Sequence, residues 1–281
     1  MREWLELSVS VPNANAECVE SFLLDYGAPG LITEDGERAT VIRSYWTECA
    51  PLAELERFCT DLGFWQVTRY STVQVADENW ADNWRMHFQP TAVGDQLWVC
   101  PPWASSPKDR ISIVINPGMA FGTGQHATTR GCLSLIERRV LEKGQMSRAL
   151  DVGTGSGILA IALAKLGTTH VSAADIDPCA RHAATDNCIA NAVVDTVHII
   201  EEWLPVGNSY DLIVANLFAG LLVEMSEDLS LSLTNRGALV CSGFLAGDEE
   251  MVQQSLERHG LKVCARIIDD GWVTLLAERI Q

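Results

Sequence analysis

The stretch Asp151-Val-Gly-Thr-Gly-Ser-Gly157, followed by Asp175-Ile-Asp-Pro178, decides the fold that this sequence predicts. The first run places three glycines directly after an apolar segment, and the second places acidic residues after the next apolar segment. This order predicts a strand, a glycine-rich turn, a helix and a second strand that ends in a carboxylate. Glycines let a ligand approach the backbone closely, and a carboxylate in that place accepts hydrogen bonds from ribose hydroxyls. The pattern therefore indicates an α/β sheet that binds an adenosine-containing cofactor.

The spacing of the glycines distinguishes between two classes of cofactor. A dinucleotide-binding turn follows G-x-G-x-x-G, with the third glycine three residues after the second. In this chain that position is Ile158, and the last glycine comes one residue earlier, at Gly157. The pattern D-x-G-x-G-x-G is instead typical of the first motif of class I methyltransferases that use S-adenosylmethionine. A glycine-rich turn in some other α/β protein is the alternative.

The composition argues against several classes of function. The chain has 281 residues, of which 47% are hydrophobic, enough to bury the core of one large domain or two ordinary ones. It carries 37 acidic and 20 basic residues, a net charge of −17 without any run of basic residues, which argues against direct binding to nucleic acid. The acidic excess suits a basic protein partner, and it also serves solubility.

The cysteines and the apolar runs bear on the compartment. The 9 cysteines are scattered without C-x-x-C or zinc-like spacing, which favours free thiols in a reducing cytoplasm and predicts no metal site. The chain opens on Met1-Arg-Glu-Trp4 rather than on a signal peptide, and no apolar run approaches the roughly 18 residues of a membrane helix. We therefore expect a cytoplasmic protein that does not act at a membrane.

Residues 1–77 are predicted to form a small α+β domain. Alternating apolar residues and two glycine-closed helical stretches predict the order βαββαβ, which indicates a ferredoxin-like sandwich. The predicted strands are 5–11, 31–34, 39–44 and 66–75, and the predicted helices are 16–26 and 51–62. With 5 basic and 13 acidic residues, this domain has a net charge of −8 and no lysine, so we expect it to recognise a basic substrate.

Residues 78–115 are predicted to connect this domain to the rest of the chain. Trp80 and Trp84 are four residues apart, so they share one face of a helix. Trp98 and Trp103 follow in a proline-rich segment of strand and turn. Such aromatic residues are typical of packing between domains, and a platform that faces the substrate is the alternative.

From residue 116 onwards strands and helices alternate, which predicts a parallel sheet. The predicted strands are 148–152, 170–174, 196–200, 211–215, 237–242, 262–268 and 273–279, and the predicted helices are 126–143, 157–166, 178–191, 219–233 and 248–259. Only a tight turn at Asp270-Gly271 separates the last two strands, so they must pair antiparallel. The prediction for residues 116–281 is therefore an α/β domain, a Rossmann-like seven-stranded sheet with one reversed strand, as in class I methyltransferases.

Two further motifs make the resemblance to a known family specific. One is Asn116-Pro-Gly-Met-Ala-Phe-Gly-Thr-Gly-Gln-His-Ala-Thr-Thr129, and the other is Asn216-Leu-Phe-Ala-Gly220. With these motifs the chain resembles the bacterial ribosomal protein L11 methyltransferases over its whole length, from the small first domain to the closing pair of strands. The family usually has proline at the position of Ala127, and this difference removes no functional group.

The resemblance implies which residues bind S-adenosylmethionine. The positions that match the family or complete its glycine-rich turn are Thr129, Gly153, Gly155, Gly157, Asp175 and Asn216, with Phe121 as a wall over the cofactor. For Phe121 ordinary packing is the alternative. For Thr129, which comes close to the start of a helix, the alternative is capping of that helix.

Asn216 is the one residue predicted to take part in catalysis. It ends a parallel strand at the carboxyl edge of the sheet, where ligands bind in open α/β folds, and its amide oxygen can accept a hydrogen bond from an amine. Enzymes that methylate an exocyclic base nitrogen commonly show N-P-P-Y or D-P-P-Y here, whose aromatic ring stacks on the flipped base. The run Asn216-Leu-Phe-Ala219 has no proline and spaces its aromatic residue differently. Nucleic acid is therefore the less favoured substrate.

Two polar residues near these motifs have structural interpretations. Asp177 stands directly before Pro178, a combination typical of the first residues of a helix, so it is predicted to cap that helix. His126 is predicted to organise its loop, with contact to the substrate as the alternative. No second ligand is spaced to form a metal site with His126.

The resemblance implies a protein methyltransferase. Its reaction would transfer a methyl group from S-adenosylmethionine to lysine ε-amines, the N-terminal α-amine, or both, of ribosomal protein L11. The rival enzyme is a lysine methyltransferase for another protein, such as an electron-transfer flavoprotein subunit. The rival outside the enzymes is a cofactor-binding module without catalysis. A methyl-transfer assay distinguishes such a module from an enzyme.

Overall fold

The chain divides into two compact units, Met1–Phe88 and Gln89–Gln281. The computed structural model of the protein describes residues 3–16, 19–20, 23, 31–36, 38–47, 69–76, 89–116, 124–144, 146–203, 207 and 209–280. The predicted division of the chain into residues 1–77, 78–115 and 116–281 stays a prediction. By its contacts, the segment from Gln89 onwards belongs to the second unit.

The first unit contains an antiparallel four-stranded sheet. Its strands are β1 (Glu3–Pro12), β2 (Leu31–Asp35), β3 (Ala39–Thr47) and β4 (Arg69–Ala76), in the order β2-β3-β1-β4. Leu7, Val9 and Val11 are buried on β1, as their alternation predicts. This strand order is the one expected of the predicted ferredoxin-like sandwich.

Some predictions for the first part of the chain fall outside the described residues. These are the helix over 51–62 and the helical face of Trp80 and Trp84. Of the predicted helix 16–26, residues 16, 19, 20 and 23 are described, and their backbone is helical.

The second unit begins with a small three-stranded sheet. Its strands are β5 (Thr91–Val93), β6 (Leu97–Cys100) and β7 (Ile111–Val114); β5 and β6 pair antiparallel, whereas β6 and β7 pair parallel. Trp98 lies on β6, and Trp103 lies in the turn after it with 43% of its surface exposed. The strand and turn predicted for this segment are therefore present.

A seven-stranded sheet forms the centre of the second unit. Its strands are β8 (Arg148–Val152), β9 (His170–Ala174), β10 (Val197–Ile200), β11 (Tyr210–Asn216), β12 (Leu233–Leu245), β13 (Leu261–Asp269) and β14 (Trp272–Arg279). They lie in the order β10-β9-β8-β11-β12-β14-β13. The first five pair parallel, and β14 pairs antiparallel with both of its neighbours. The predicted sheet with one reversed strand is confirmed.

Five helices cover the two faces of this sheet. They are α1 (Ala127–Lys143), α2 (Ile158–Lys165), α3 (Pro178–Ala190), α4 (Ala219–Ser232) and α5 (Glu249–Arg258). Alternate residues of the central strands enter separate cores, with Leu212 on one face and Ile213 on the other. Strands covered on both faces need continuous apolar runs, which is why the central strands show no alternation in sequence. Within the described part of the chain, no helix is both long and apolar enough to span a bilayer.

A buried carboxylate ties α1 to the hairpin of β5 and β6. Glu137 is 4% exposed, and its two oxygens accept the backbone N–H groups of Asp95 (2.8 Å) and Gln96 (2.6 Å). The turn passes so close to this carboxylate that a Cβ on Gly94 would lie 1.9 Å from Oε2. The contact fixes the small sheet to α1, whose first turn contributes Thr128 and Thr129 to the candidate site described below.

Candidate cofactor and substrate site

The glycine-rich turn connects β8 to α2 with a backbone that favours glycine. Gly153, Gly155 and Gly157 have φ angles of 71°, 55° and 83°, in the left-handed region that residues with a Cβ adopt at a cost. The amides of Gly153 and Thr154 both donate to the carbonyl oxygen of Ala174, each at 2.9 Å. The turn is therefore held against the end of β9.

The space beside two of these glycines is also tight. A Cβ on Gly153 would lie 2.7 Å from Cδ2 of Leu217, and a Cβ on Gly157 would lie 3.2 Å from the Cα of Ala184. Leu217 directly follows Asn216. The end of β11 therefore lies directly against the turn.

Asp175 follows the last residue of β9 and faces the same turn. Its Oδ2 accepts the amide of Gly155 at 2.9 Å, and its Oδ1 accepts the amide of Asp177 at 3.0 Å. Each carboxylate oxygen can accept a further hydrogen bond, so the group is oriented and still able to bind two hydroxyls. The next residue, Ile176, is 82% exposed and offers an apolar surface beside the carboxylate.

Asp177 and His126 cap helices. The side chain of Asp177 accepts the amide of Cys179 at 2.8 Å, which makes it the N-cap of α3, with Pro178 in the first turn. His126 is the N-cap of α1, where its Nδ1 accepts the amide of Thr128 at 3.4 Å. Both residues have the structural roles that the sequence favours.

Asp151, at the end of β8, is fully buried beneath the turn. Its Oδ2 accepts the hydroxyl of Thr154 (2.6 Å) and the amide of Ala160 (3.1 Å). Its Oδ1 is also buried and has no hydrogen-bond partner among the described residues. Burial raises the pKa of Asp151 from 3.8 to about 7, against the opposing effect of the two donors.

A hydrogen-bonded chain joins the end of β11 to the start of α1. Nδ2 of Asn216 donates to Oγ1 of Thr128 (3.1 Å), which in turn lies 2.8 Å from Nδ1 of His126. Because Nδ1 already accepts the Thr128 amide, the hydroxyl must donate to it, and the imidazole proton lies on Nε2. Burial lowers the pKa of His126, and Arg130 adds to this effect, so the ring is neutral at pH 7.

Contacts with the reversed strands hold the start of α1 in place. The ring of His126 packs edge-on against Trp272 of β14, with centroids 4.8 Å apart at 69°. Arg130 donates through Nε to Oδ2 of Asp269, the last residue of β13, at 3.0 Å. These contacts fix the Thr128 hydroxyl relative to the sheet, so they also fix the amide of Asn216.

Thr129 is completely buried in the first turn of α1. Its Oγ1 has no hydrogen-bond partner among the described residues. Buried hydroxyls are nearly always paired, so this oxygen, like Oδ1 of Asp151, is an unsatisfied buried polar atom. Together with the Asp175 carboxylate, these two atoms fit the binding of a polar, ribose-containing cofactor.

The structure brings most of the sequence-predicted site residues to one edge of the sheet. The amide of Gly155 donates to Asp175, and the side chain of Leu217, the residue after Asn216, packs against Gly153. Phe121 lies outside the described residues. Sequence reasoning did not single out Ile176 or the bond between Thr128 and Asn216. The available signal for Ile176 was an apolar residue directly after the strand-end acid, whereas the bond between Thr128 and Asn216 has no local signal.

Comparisons with known proteins agree with this arrangement. Residues 3–280 match the family model described as ribosomal protein L11 methyltransferase. Two proteins named ribosomal protein L11 methyltransferase, from Geobacter sulfurreducens and Trichlorobacter lovleyi, are 36% and 34% identical to this chain. The matches cover 98% and 99% of this chain, and 98% of each relative.

A solved structure gives the same result. The crystal structure of ribosomal protein L11 methylase from Lactobacillus delbrueckii subsp. bulgaricus superimposes with a TM-score of 0.63 at 31% identity, covering 69% of this chain and 100% of the other. The family model spans both units of the chain and all of the candidate site. The chain therefore belongs to the ribosomal protein L11 methyltransferase family.

Proposed function

We propose that this protein transfers the methyl group of S-adenosylmethionine to amines of ribosomal protein L11, namely lysine ε-amines, the N-terminal α-amine, or both. The observation that carries the proposal is the position of Asn216. It ends β11 beside the glycine-rich turn, and the Thr128 hydroxyl sets which way its amide faces. The names of the relatives supply the protein substrate.

The methyl donor is S-adenosylmethionine, which supplies an electrophilic methyl group on a sulfonium sulfur. In the proposed arrangement Asp175 accepts the ribose hydroxyls, and Gly153, Gly155 and Gly157 let the methionine end lie against the backbone. Ile176 offers an apolar surface for the adenine ring. The protein then has only to orient the two reactants and to exclude water from between them.

Asn216 positions the attacking amine in this proposal. Because its Nδ2 donates to Thr128, the acceptor it offers to an amine is Oδ1. An amine N–H that donates to Oδ1 leaves the nitrogen lone pair to point at the methyl group. A free lysine amine has a pKa of about 10.4 and a free α-amine about 7.7–8.0, so either must lose a proton before attack. We assign no residue as the base, and the proton passes to water.

The charge and the cysteines support a cytoplasmic protein with a basic protein substrate. Among the described residues, six cysteines are free thiols, as expected in a reducing compartment. The first domain carries 5 basic and 13 acidic residues over 1–77 and no lysine, which suits the capture of L11 without self-methylation of that domain at lysine. We propose capture of L11 as its role.

A methyl-transfer assay tests the proposal. The protein, labelled donor and purified L11 are incubated, the labelled residues are mapped by mass spectrometry, and a cell extract is tested in parallel. We expect Asn216→Ala to lower turnover far more than it weakens donor binding, whereas Asn235→Ala, an exposed amide in the first part of β12, should behave as wild type. Normal turnover in Asn216→Ala would remove the assigned role. Label on another protein alone would identify a different substrate.

A further inference from the structure

An aromatic side chain projects into solvent beside the candidate site. Phe218 comes two residues after Asn216, at the N-cap of α4, and 76% of its surface is exposed. Leu221, one turn further along α4, is 39% exposed. Neighbouring exposed apolar residues beside a binding site fit a surface that contacts a partner.

The backbone next to Phe218 is closely packed on both sides, and this packing keeps the side chain of Phe218 exposed. The amide of Leu217 donates to the carbonyl of Ser242 at 2.9 Å. The side chain of Leu217 fills the space that a Cβ on Gly153 would need, and a Cβ on Gly243 would lie 2.4 Å from its carbonyl oxygen. With Leu217 packed inwards on both sides, the chain holds Phe218 on the outside.

The exposed face of α4 is apolar at the start of the helix and acidic further along it. Glu224 follows Leu221 by three residues, and Asp228 follows Glu224 by four. The three residues therefore share one face of the helix, and all are exposed. The opposite face packs inwards, where the Ser230 hydroxyl donates to the carbonyl of His259 at 2.6 Å. The sequence from residue 210 to residue 232 contains no lysine or arginine. No cation of α4 itself therefore neutralises this face.

We propose that Phe218, Leu221, Glu224 and Asp228 form a docking surface for a lysine- or arginine-rich segment of the protein substrate, next to the amine that is methylated. This inference rests on the proposed function. The acids would pair with the cationic heads of the segment, while Phe218 and Leu221 would contact the aliphatic stems or, for Phe218, the cation itself. A protein that binds ribosomal RNA carries clustered basic residues, which supplies the complementary charge.

Charge also argues against a second copy of this chain as the occupant. Two copies that met through this face would bring four carboxylates, Glu224 and Asp228 of each, into one interface. A net charge of −17 per chain adds to their repulsion. A basic substrate reverses both effects.

The test compares substitutions on the docking surface with matched ones at the opposite edge of the sheet. Phe218→Ser is matched with Val194→Ser, and Glu224→Lys with Asp195→Lys. Val194 and Asp195 are exposed and precede β10, at the amino ends of the parallel strands. For the two surface variants we expect the KM for L11 to rise about tenfold, with unchanged kcat and donor affinity. The matched controls should keep the wild-type KM.

Salt separates the two kinds of contact. Raising the salt from about 50 to 500 mM should shrink the effect of Glu224→Lys, because screening weakens charge pairs, and should leave the effect of Phe218→Ser in place. A wild-type KM in both variants, while wild-type protein methylates L11, would overturn the docking surface alone. Failure of wild-type protein to methylate or bind L11 would overturn the proposed function and the surface with it. A changed oligomeric state of the variants in sedimentation would show that a second copy covers this face, and loss of donor binding would show that the face belongs to the donor site; either result would overturn the docking surface.

Discussion

Asp151 and Asp175 both bind the glycine-rich turn through their carboxylates, yet their environments are opposite. Asp175 is half-buried and keeps the capacity to accept hydrogen bonds, whereas Asp151 is completely buried beneath the turn. The sequence predicts a cofactor role for Asp175 because the place of this residue after the second strand is a local feature. It could not assign the state of Asp151, which depends on the burial supplied by the surrounding fold.

Replacing Asp175 with alanine should cripple donor binding. A hydrogen bond to a charged acceptor contributes about 1.5–3 kcal/mol, or about one to two orders of magnitude in affinity. Asp175 would make two such bonds to neighbouring ribose hydroxyls, and neighbouring contacts are not fully additive, so we expect the affinity for S-adenosylmethionine to fall by about one to three orders of magnitude. Calorimetry measures this directly. Asp177→Ala is the control, because Asp177 caps α3 and its loss should cost stability rather than affinity. Equal donor affinity in Asp175→Ala and wild type would reject the ribose role.

Asp151 should make the stability of the protein depend on pH. Its folded pKa of about 7 lies above the ordinary value of 3.8, so the folded state holds a proton that the unfolded state releases. The contribution of this group is therefore fully present below about pH 4 and is lost as the pH rises to about 7. Urea unfolding at several pH values should show wild type losing stability relative to Asp151→Asn across this window and staying level above it. Parallel curves for the two proteins would contradict the assignment.

Among the elements, the strands after residue 148 follow the predictions closely, and β12 shows the limit. The sequence predicts this strand over 237–242, but it runs from Leu233 to Leu245, directly after α4 ends at Ser232. Leu233 is fully buried and pairs with Tyr210, so a contact distant in sequence extends the strand. The bond between Asn216 and Thr128, which are 88 residues apart, is hidden from sequence for the same reason. Periodicity reports which residues are apolar, but it does not report which partner pairs with them.

The hydrogen bonds of Glu137 that link α1 to the hairpin of β5 and β6 should contribute measurably to the stability of the fold. Glu137→Gln keeps one carbonyl acceptor and places an NH₂ group against a backbone N–H, so we expect a loss of about 1–3 kcal/mol. The control is Glu142→Gln on the same helix, an exposed residue paired with Arg138, which should change the midpoint of unfolding little. Chemical denaturation of the two variants checks the difference. Indistinguishable midpoints would mean that the buried carboxylate is not needed for the hairpin.

At the scale of the whole molecule, removing residues 1–77 should separate donor binding from substrate recognition. The glycine-rich turn, Asp175 and Asn216 all belong to the unit Gln89–Gln281, which has its own sheet and core. We therefore expect the shortened protein to bind S-adenosylmethionine with near-normal affinity and to lose transfer to intact L11, since remote binding energy positions the amine. Calorimetry and the methylation assay measure the two activities. Transfer to L11 at the full-length rate would assign the first domain another role, such as oligomerisation.

The place of β14 in the sheet has a consequence for synthesis of the chain. Although β14 comes last of the described strands, it lies between β12 and β13. A ribosome that has made residues up to Asp269 has therefore produced β13 without its only neighbour and left one edge of β12 open. Open strand edges recruit other strands, so the nascent chain is exposed to aggregation until the hairpin of β13 and β14 emerges. Completion of the sheet, and with it the packing of Trp272 on His126, therefore waits for this hairpin.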